Sequence, residues 1–249
     1  MADLLSNSEP LLLKSVEPDW SLDVLNFVFS IYDLVHDTRT NEERFSWFVS
    51  QPTTKGLRAI LPNNAERISM GTALFRARPG GIPDERGAVA LAYPLAHDYR
   101  QNPCRPAGRA NYHGQVCLYC ADRERTAVVE TRLAVAEPVS VCEFATTIEL
   151  SLVNFDVTKA RMDHGATVPE RTLGYLACRM AQPADQMMEE KYLLTQMVAQ
   201  LCRAEKFDGL SYTSVAGGSG KNIALFSEEC VLFRKSWLGS DSAANGDHP

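Results

Sequence analysis

Apolar residues between positions 20 and 50 recur at three- and four-residue steps. Leu22, Leu25, Val28, Phe29 and Tyr32 therefore predict an amphipathic helix. Asn41-Glu42-Glu43-Arg44 opens a second helix, with Asn41 as its cap. Pro52 and the Pro62-Asn63-Asn64 turn break this pattern. Residues 72–78 read as a strand, and a Gly- and Pro-rich loop runs from Pro79 to Gly87. A second strand covers 116–121, a helix Arg123 to Leu133, and the Val-, Ile-, Thr- and Phe-rich stretch from Val139 to Phe155 favours strands. The strongest helical signal lies between Asp185 and Lys206. There Met188, Leu194, Met197, Val198 and Leu201 trace one face, Asp185 can cap the start and Phe207-Asp208-Gly209 ends it. Short strands follow at Leu210–Thr213, Asn222–Phe226 and around Cys230–Phe233.

Strands and helices alternate without a regular β-α-β unit, so the expected class is α+β rather than a doubly wound parallel sheet. Residues 1–65 read as a small helical appendage packed on the main domain, with a flexible recognition arm as the alternative. Residues 66–238 form the main domain, and 239–249, rich in Ser, Asp and Asn, read as a disordered tail. No internal repeat is visible.

Composition narrows the function classes. The 249 residues, 45% hydrophobic and 22% charged, suit a globular domain with a sizeable core. A net charge of −6 argues against a nucleic-acid surface while leaving room for a local basic pocket. No apolar run reaches the roughly 18 residues that span a bilayer, so no membrane partner is expected. Asp3 stands where a signal peptide carries basic residues, which points to the cytoplasm, or to export without a cleaved signal. The seven cysteines form no disulfide framework and read as buried free thiols. Cys117 and Cys120 have a zinc-like spacing without a second pair. Placed on one face of a strand, they read as core rather than as a metal site.

Several residues can carry chemistry. The run Val215 to Asn222 looks superficially like a phosphate loop, but Val215 and Asn222 stand where a Walker motif needs Gly and Ser or Thr. It reads as a connection between strands, with ligand contact by Gly217 or Gly218 as the alternative. Arg76 lies mid-strand, either as surface decoration or as a ligand group. Arg109 follows Gly108, and a guanidinium beside such a turn either forks onto phosphate or pins the turn. Glu130 borders the apolar face of its helix, unlike Glu124 on the outer side, and is either salt-bridged or functional. Tyr119 is a core residue or a stacking surface for a flat ring.

Taken in order, these pieces form a pattern. It comprises Phe75-Arg76, Gly108-Arg109-x-Asn111-x-x-Gly114, Leu118-Tyr119-x-Ala121, Thr126-Ala127-x-x-Glu130 and Phe207-Asp208-Gly209-x-x-Tyr212-x-Ser214, ending in Asn222-x-x-Leu225-Phe226. The set runs from about residue 72 to 227 and resembles the RES-domain family, named for its Arg, Glu and Ser. That resemblance implies a split-sheet fold similar to ADP-ribosyltransferase toxins, with NAD gripped in a cleft. It makes residues 66–238 an NAD-cleaving domain, either a phosphorylase or a hydrolase, acting as a toxin that arrests growth.

The same resemblance implies roles for individual residues. Arg76 and Arg109 would hold the pyrophosphate or an attacking phosphate, and Asn111 belongs to the same binding set. Tyr119 would line the nicotinamide-ribose pocket, Glu130 would be the central carboxylate, and Ser214 would bond substrate or position Glu130. NAD is then substrate, inorganic phosphate a candidate co-substrate, and no cofactor or metal is required. An antitoxin or immunity protein occluding the active site is the implied partner. The chain departs from the pattern in its N-terminal region and in an insertion between 79 and 107, and the insertion puts the rim of the pocket, and so its acceptor, in question.

Two other readings stand beside this one. One is a transferase placing ADP-ribose on a macromolecule, disfavoured because Val128 occupies the position where such enzymes often carry a second Glu or Gln. The other is a non-catalytic nucleotide- or partner-binding module.

Overall fold

A computed structural model describes residues 22–34, 38–93, 106–132, 137–182 apart from 160, 162 and 164, and 192–239 apart from 215 and 217–219. Among the described residues three α-helices come first: α1 (Leu22–Asp33), α2 (Asn41–Ser50) and α3 (Pro52–Ile60). Thr40, not Asn41, caps α2. Its hydroxyl accepts from Glu43 N at 3.2 Å while Glu43 Oε2 accepts from Thr40 N at 2.7 Å, satisfying two amides that the helix leaves open. Pro52 does not end helical structure but starts α3. At the first helical position its missing N–H costs nothing, because that amide has no intrahelical partner.

The face of α1 also differs from the expected one. Val24, Phe27, Val28 and Ile31 are buried, whereas Leu22 and Phe29 are 72% and 55% exposed. The helix carries apolar residues on two sides, and packing selected the side with the continuous stripe. That stripe joins Leu57 and Leu61 in one core with Leu176, Met180, Met197 and Val198. The last four belong to α5 (Val168–Ala181) and α6 (Leu193–Ala204). The apolar periodicity does not predict α5, although Thr167 and Glu170 close a capping box there and Pro169 sits in its first turn. Helix α6 buries Leu194, Met197, Val198 and Leu201 as expected. The proposed cap Asp185 and Met188 lie outside the described residues. The helix ends where Lys206 adopts a left-handed φ of 65° and Phe207 N donates to Cys202 O at 3.1 Å.

The described residues also form ten strands: β1 (Ala65–Ile68), β2 (Ala73–Pro79), β3 (Ile82–Pro83), β4 (Val89–Leu91), β5 (Leu118–Ala121), β6 (Val139–Thr146), β7 (Leu150–Phe155), β8 (Gly209–Thr213), β9 (Lys221–Leu225) and β10 (Val231–Gly239). A seven-residue helix, α4 (Glu124–Glu130), follows β5 and is shorter than the expected Arg123–Leu133. The strands β1, β3 and β4 were not anticipated. The last two pair as a small hairpin, with β3 inside the Pro79–Gly87 stretch expected as a loop and β4 just beyond it.

Eight strands form one mixed sheet in the order β1-β7-β8-β9-β5-β2-β6-β10, parallel only between β7 and β8. The expected α+β class, with a helical N-terminal part, is therefore present. The sheet is nearly divided between β5 and β2, which share a single residue pair, Phe75 with Ala121. On one face Val153, Phe155, Leu210 and Tyr212 pack under the helices. On the other, Leu118, Leu150, Leu152 and Ile223 meet Leu74, Phe144 and Val231 from the far half, so the two halves enclose a second core. Alternation along the strands sorts residues between these cores. Cys120 packs in the second core and Cys117 against the first, so the two thiols do not share a face as expected. Their separation of three residues is odd, and a two-residue period sends odd separations to opposite sides. Among the described residues no group of three or more His, Cys, Asp or Glu could hold a metal ion, and no helix is long and apolar enough to cross a membrane.

Candidate active site

The division of the sheet opens a cleft. Beyond the Phe75–Ala121 pair, β2 and β5 part, and α4 packs across β2 with its C-terminal end facing the gap. The cavity of about 290 Å³ is lined by Arg76 from β2, Tyr119 from β5, Ala127 and Glu130 from α4, Tyr212 from β8 and Asn222 from β9. These positions span about 146 residues of sequence, from 76 to 222, and only the sheet order brings them together.

Glu130 is the last residue of α4, and its carboxylate is held firmly. Ser214 Oγ donates to Glu130 Oε1 at 2.6 Å, and Asn222 Nδ2 donates to the same oxygen at 2.7 Å. Both donors are buried, at 1% and 8% exposure, so the hydrogen bonds are shielded from competing water. The start of α4 is fixed separately. Asp122 Oδ1 accepts from Lys221 N at 2.8 Å, and Asp122 N donates to Lys221 O at 3.0 Å. Glu124 Oε1 accepts from Trp237 Nε1 at 2.8 Å, tying the outer side of the helix to β10. Gly220 lets α4 approach the sheet this closely, since a Cβ there would lie 1.8 Å from Thr126 Oγ1.

Arg76 Nη1 donates to the Tyr119 carbonyl at 2.9 Å, bridging the two strands where their ladder stops. A cation thus sits on one wall of the cleft and a carboxylate on another. Opposed charges of this kind can serve a substrate that presents negative phosphate to one side and develops positive charge at the other.

Tyr119 has a double role. The residue lines the cleft, but its hydroxyl is already occupied, accepting from Ala110 N at 2.8 Å and donating to Asn111 Oδ1 at 2.8 Å. Burial holds that phenol well above its usual range. Burial likewise pushes the Tyr212 hydroxyl up to about 12, against the opposing effect of Arg109. Both tyrosines remain neutral near neutral pH, so neither serves as a base. Tyr119→Phe would leave Ala110 N and Asn111 Oδ1 buried without this partner. We expect it to lose about 1–3 kcal/mol of stability in denaturant unfolding. Turnover of the folded variant should stay close to that of the parent, because the ring is unchanged.

The turn behind Tyr119 carries the remaining candidates. Asn111 is 3% exposed and spends its amide nitrogen on Pro106 O and Tyr112 O, at 3.0 and 2.9 Å. Gln196 from α6 bonds Gly108 O and Asn111 O at 2.9 and 3.0 Å. A Cβ at Gly108 would fall 2.6 Å from the Tyr119 hydroxyl, so this close packing requires glycine. Arg109 Nη2 donates to the Gln182 carbonyl at the end of α5, and its guanidinium lies 5.5 Å from the centre of the Tyr212 ring. Neither Arg109 nor Asn111 is among the residues lining the cleft, and both brace the turn on which Tyr119 hangs.

The structure thus brings Arg76, Tyr119 and Glu130 to one cavity, with Ser214 directly behind Glu130. Gly217 and Gly218 lie outside the described residues. Tyr212 and Asn222 also line the cavity, although the sequence motifs do not mark them as site residues. The available signal was a polar side chain at a buried position, since Asn222 precedes Ile223-Ala224-Leu225 in a strand with apolar neighbours.

Comparison with known proteins agrees with the pattern of motifs. A family model described as the RES domain matches residues 75–242. Comparison with curated proteins finds no match. Among solved structures, the chain is similar to one from M. tuberculosis titled as the crystal structure of the MbcT-MbcA toxin-antitoxin complex. The identity is 14%, the alignment covers 76% of this chain and 95% of that one, and the TM-score is 0.44.

Proposed function

Because the chain belongs to the RES domain family, we propose that it degrades NAD+ by cleaving the bond between nicotinamide and ribose. The observation that carries this reading is the Glu130 carboxylate, fixed by two buried donors at the edge of a cleft that Arg76 also lines. Cleavage of this bond builds an oxocarbenium-like cation on the ribose. Nicotinamide is positively charged in NAD+ and leaves neutral, taking the bonding electron pair, so no strong general acid is required. A fixed negative charge beside the sugar carbon lowers the barrier without reorganising at the moment of reaction. Glu130 supplies that charge. Arg76 binds the diphosphate, the Tyr119 ring stacks against the nicotinamide or ribose, and Ser214 keeps the carboxylate in place. Arg109 and Asn111 contribute by holding the turn behind Tyr119. Arg109 is also the other arginine of the motif set that an anionic acceptor could use.

Loss of NAD would arrest growth, which makes the chain a toxin of this family. A protein inhibitor that plugs the cleft would restrain it. Incubation of the purified protein with NAD+, following free nicotinamide, tests the reading. Absence of nicotinamide release would leave only the binding-module alternative. Mass spectrometry of the ribosyl product then separates water, phosphate and protein as acceptors.

For the acceptor we favour phosphate. The rate at fixed NAD+ should then rise and saturate with added phosphate, and the product should be ADP-ribose bearing one further phosphate. The stimulation should weaken with added salt, because the pairing of phosphate with partly exposed arginine is screened. A rate indifferent to phosphate, with ADP-ribose alone as product, identifies a hydrolase instead.

A further inference from the structure

Glu130 receives both of its supports on one oxygen. Ser214 Oγ and Asn222 Nδ2 converge on Oε1 at 2.6 and 2.7 Å. Asn222 is well placed to act as a strut, because β9 is an interior strand. Its backbone is paired with Ala121 of β5 on one side and with Tyr212 of β8 on the other. The side chain is 8% exposed and itself lines the cleft. Since a carboxylate accepts and cannot donate, the bond also fixes which end of the Asn222 amide faces Glu130.

We infer that Asn222 is a positioning residue for the cleavage reaction, tying Glu130 Oε1 to the sheet so that Oε2 is the oxygen presented to the ribose. Without this tie, Ser214 alone would leave the carboxylate free to rotate about a single hydrogen bond. The negative charge would remain but would lose its aim, and transition-state stabilisation depends on that aim more than ground-state binding does. The inference rests on the reading of Glu130 as the working carboxylate, but the hydrogen bond at its centre can be tested separately.

The test uses the full chain in four forms: parent, Asn222→Ala, Asn222→Asp, and the swapped pair Glu130→Gln with Asn222→Asp. Asn222→Ala should lower kcat for nicotinamide release by about 10- to 10²-fold, with KM for NAD+ within about threefold of the parent. Asn222→Asp keeps the shape but sets a carboxylate against a carboxylate, so it should lower both kcat and Tm further than alanine does. A residue that merely filled space would show the opposite order, with the isostere milder than the truncation. The swapped pair restores a hydrogen bond of reversed polarity, with the amide on α4 and the carboxylate on β9. Its Tm should climb back above that of Asn222→Asp, while turnover stays lost because the charge has left α4.

Asn222→Asp with a parent-like kcat, or a swapped pair no more stable than Asn222→Asp, would overturn the inference. Should the parent release no nicotinamide at all, the proposed function fails. The thermal comparison then still decides whether Asn222 and Glu130 form the tie, and with no cleavage to position the inference is overturned in its catalytic part.

Discussion

Glu130→Gln is expected to reduce NAD+ cleavage by about 10²-fold or more while the protein stays folded. The amide has nearly the shape of the carboxylate, and its carbonyl oxygen can still accept from Ser214 Oγ and Asn222 Nδ2, the two donors that now reach Oε1. What disappears is the charge. An oxocarbenium-like transition state would gain little from a neutral amide, whereas in the proposed mechanism NAD+ in its ground state is held mainly through its diphosphate and rings. The loss should therefore fall on kcat, with KM little changed. Circular dichroism and thermal unfolding would establish that the variant is folded, and a nicotinamide-release assay would give the rate. Near-native turnover by a folded Glu130→Gln protein would remove this residue from the chemistry, and the proposed mechanism with it.

Arg76→Lys should have the second largest effect, a loss in kcat/KM of about 10- to 10²-fold, as expected when a hydrogen-bonded charge contact is lost. The guanidinium does two things at once. Its Nη1 donates to Tyr119 O at 2.9 Å across the strand gap, and in the proposed mechanism the same planar group, on a residue that lines the cleft, binds the diphosphate. An ammonium on a flexible stem offers one point of charge and cannot satisfy the strand carbonyl and fork onto phosphate oxygens together. Arg109→Lys provides the contrast. Arg109 is engaged by the Gln182 carbonyl and the Tyr212 ring, so its replacement should appear first as a lower Tm. If Arg76→Lys instead keeps full kcat/KM and only unfolds earlier, Arg76 is a strut between β2 and β5 and another group must bind the diphosphate.

Much of the local structure was legible because it depends on residues close in sequence. The apolar face of α6 repeats at helical spacing and is buried as its spacing requires. Strands β2, β5, β6, β7, β8 and β9 fall where apolar and β-branched residues cluster. Local signals were also misread. Pro52 looked like a breaker but is the first residue of α3, and α5 was passed over despite its capping box, because its Pro, Gly and Thr dilute the apolar period. The strand β1, Ala65-Glu66-Arg67-Ile68, has no strand-like composition. It exists because β7 offers an open edge to pair with.

The candidate site divides in the same way. The sequence by itself determined which residue types are available: Arg76, Tyr119, Glu130 and Ser214, in an order that resembles the RES family, on elements whose periodicity could be read locally. Which face of α1 is buried was beyond it, since that helix has apolar residues on two sides and only contact with the α5 and α6 core selects one. It also could not separate the two arginines, because Arg76 reaches the cleft and Arg109 braces a turn only once β2 and β5 diverge. Asn222 and Glu130 are 92 residues apart, and no local period relates them. Their hydrogen bond follows from the pairing of Asn222 with Ala121, which sets β9 beside the strand that leads into α4. Short-range periodicity is encoded in neighbouring residues, whereas the aim of a carboxylate is set by strand register and helix packing, which the tertiary structure alone fixes.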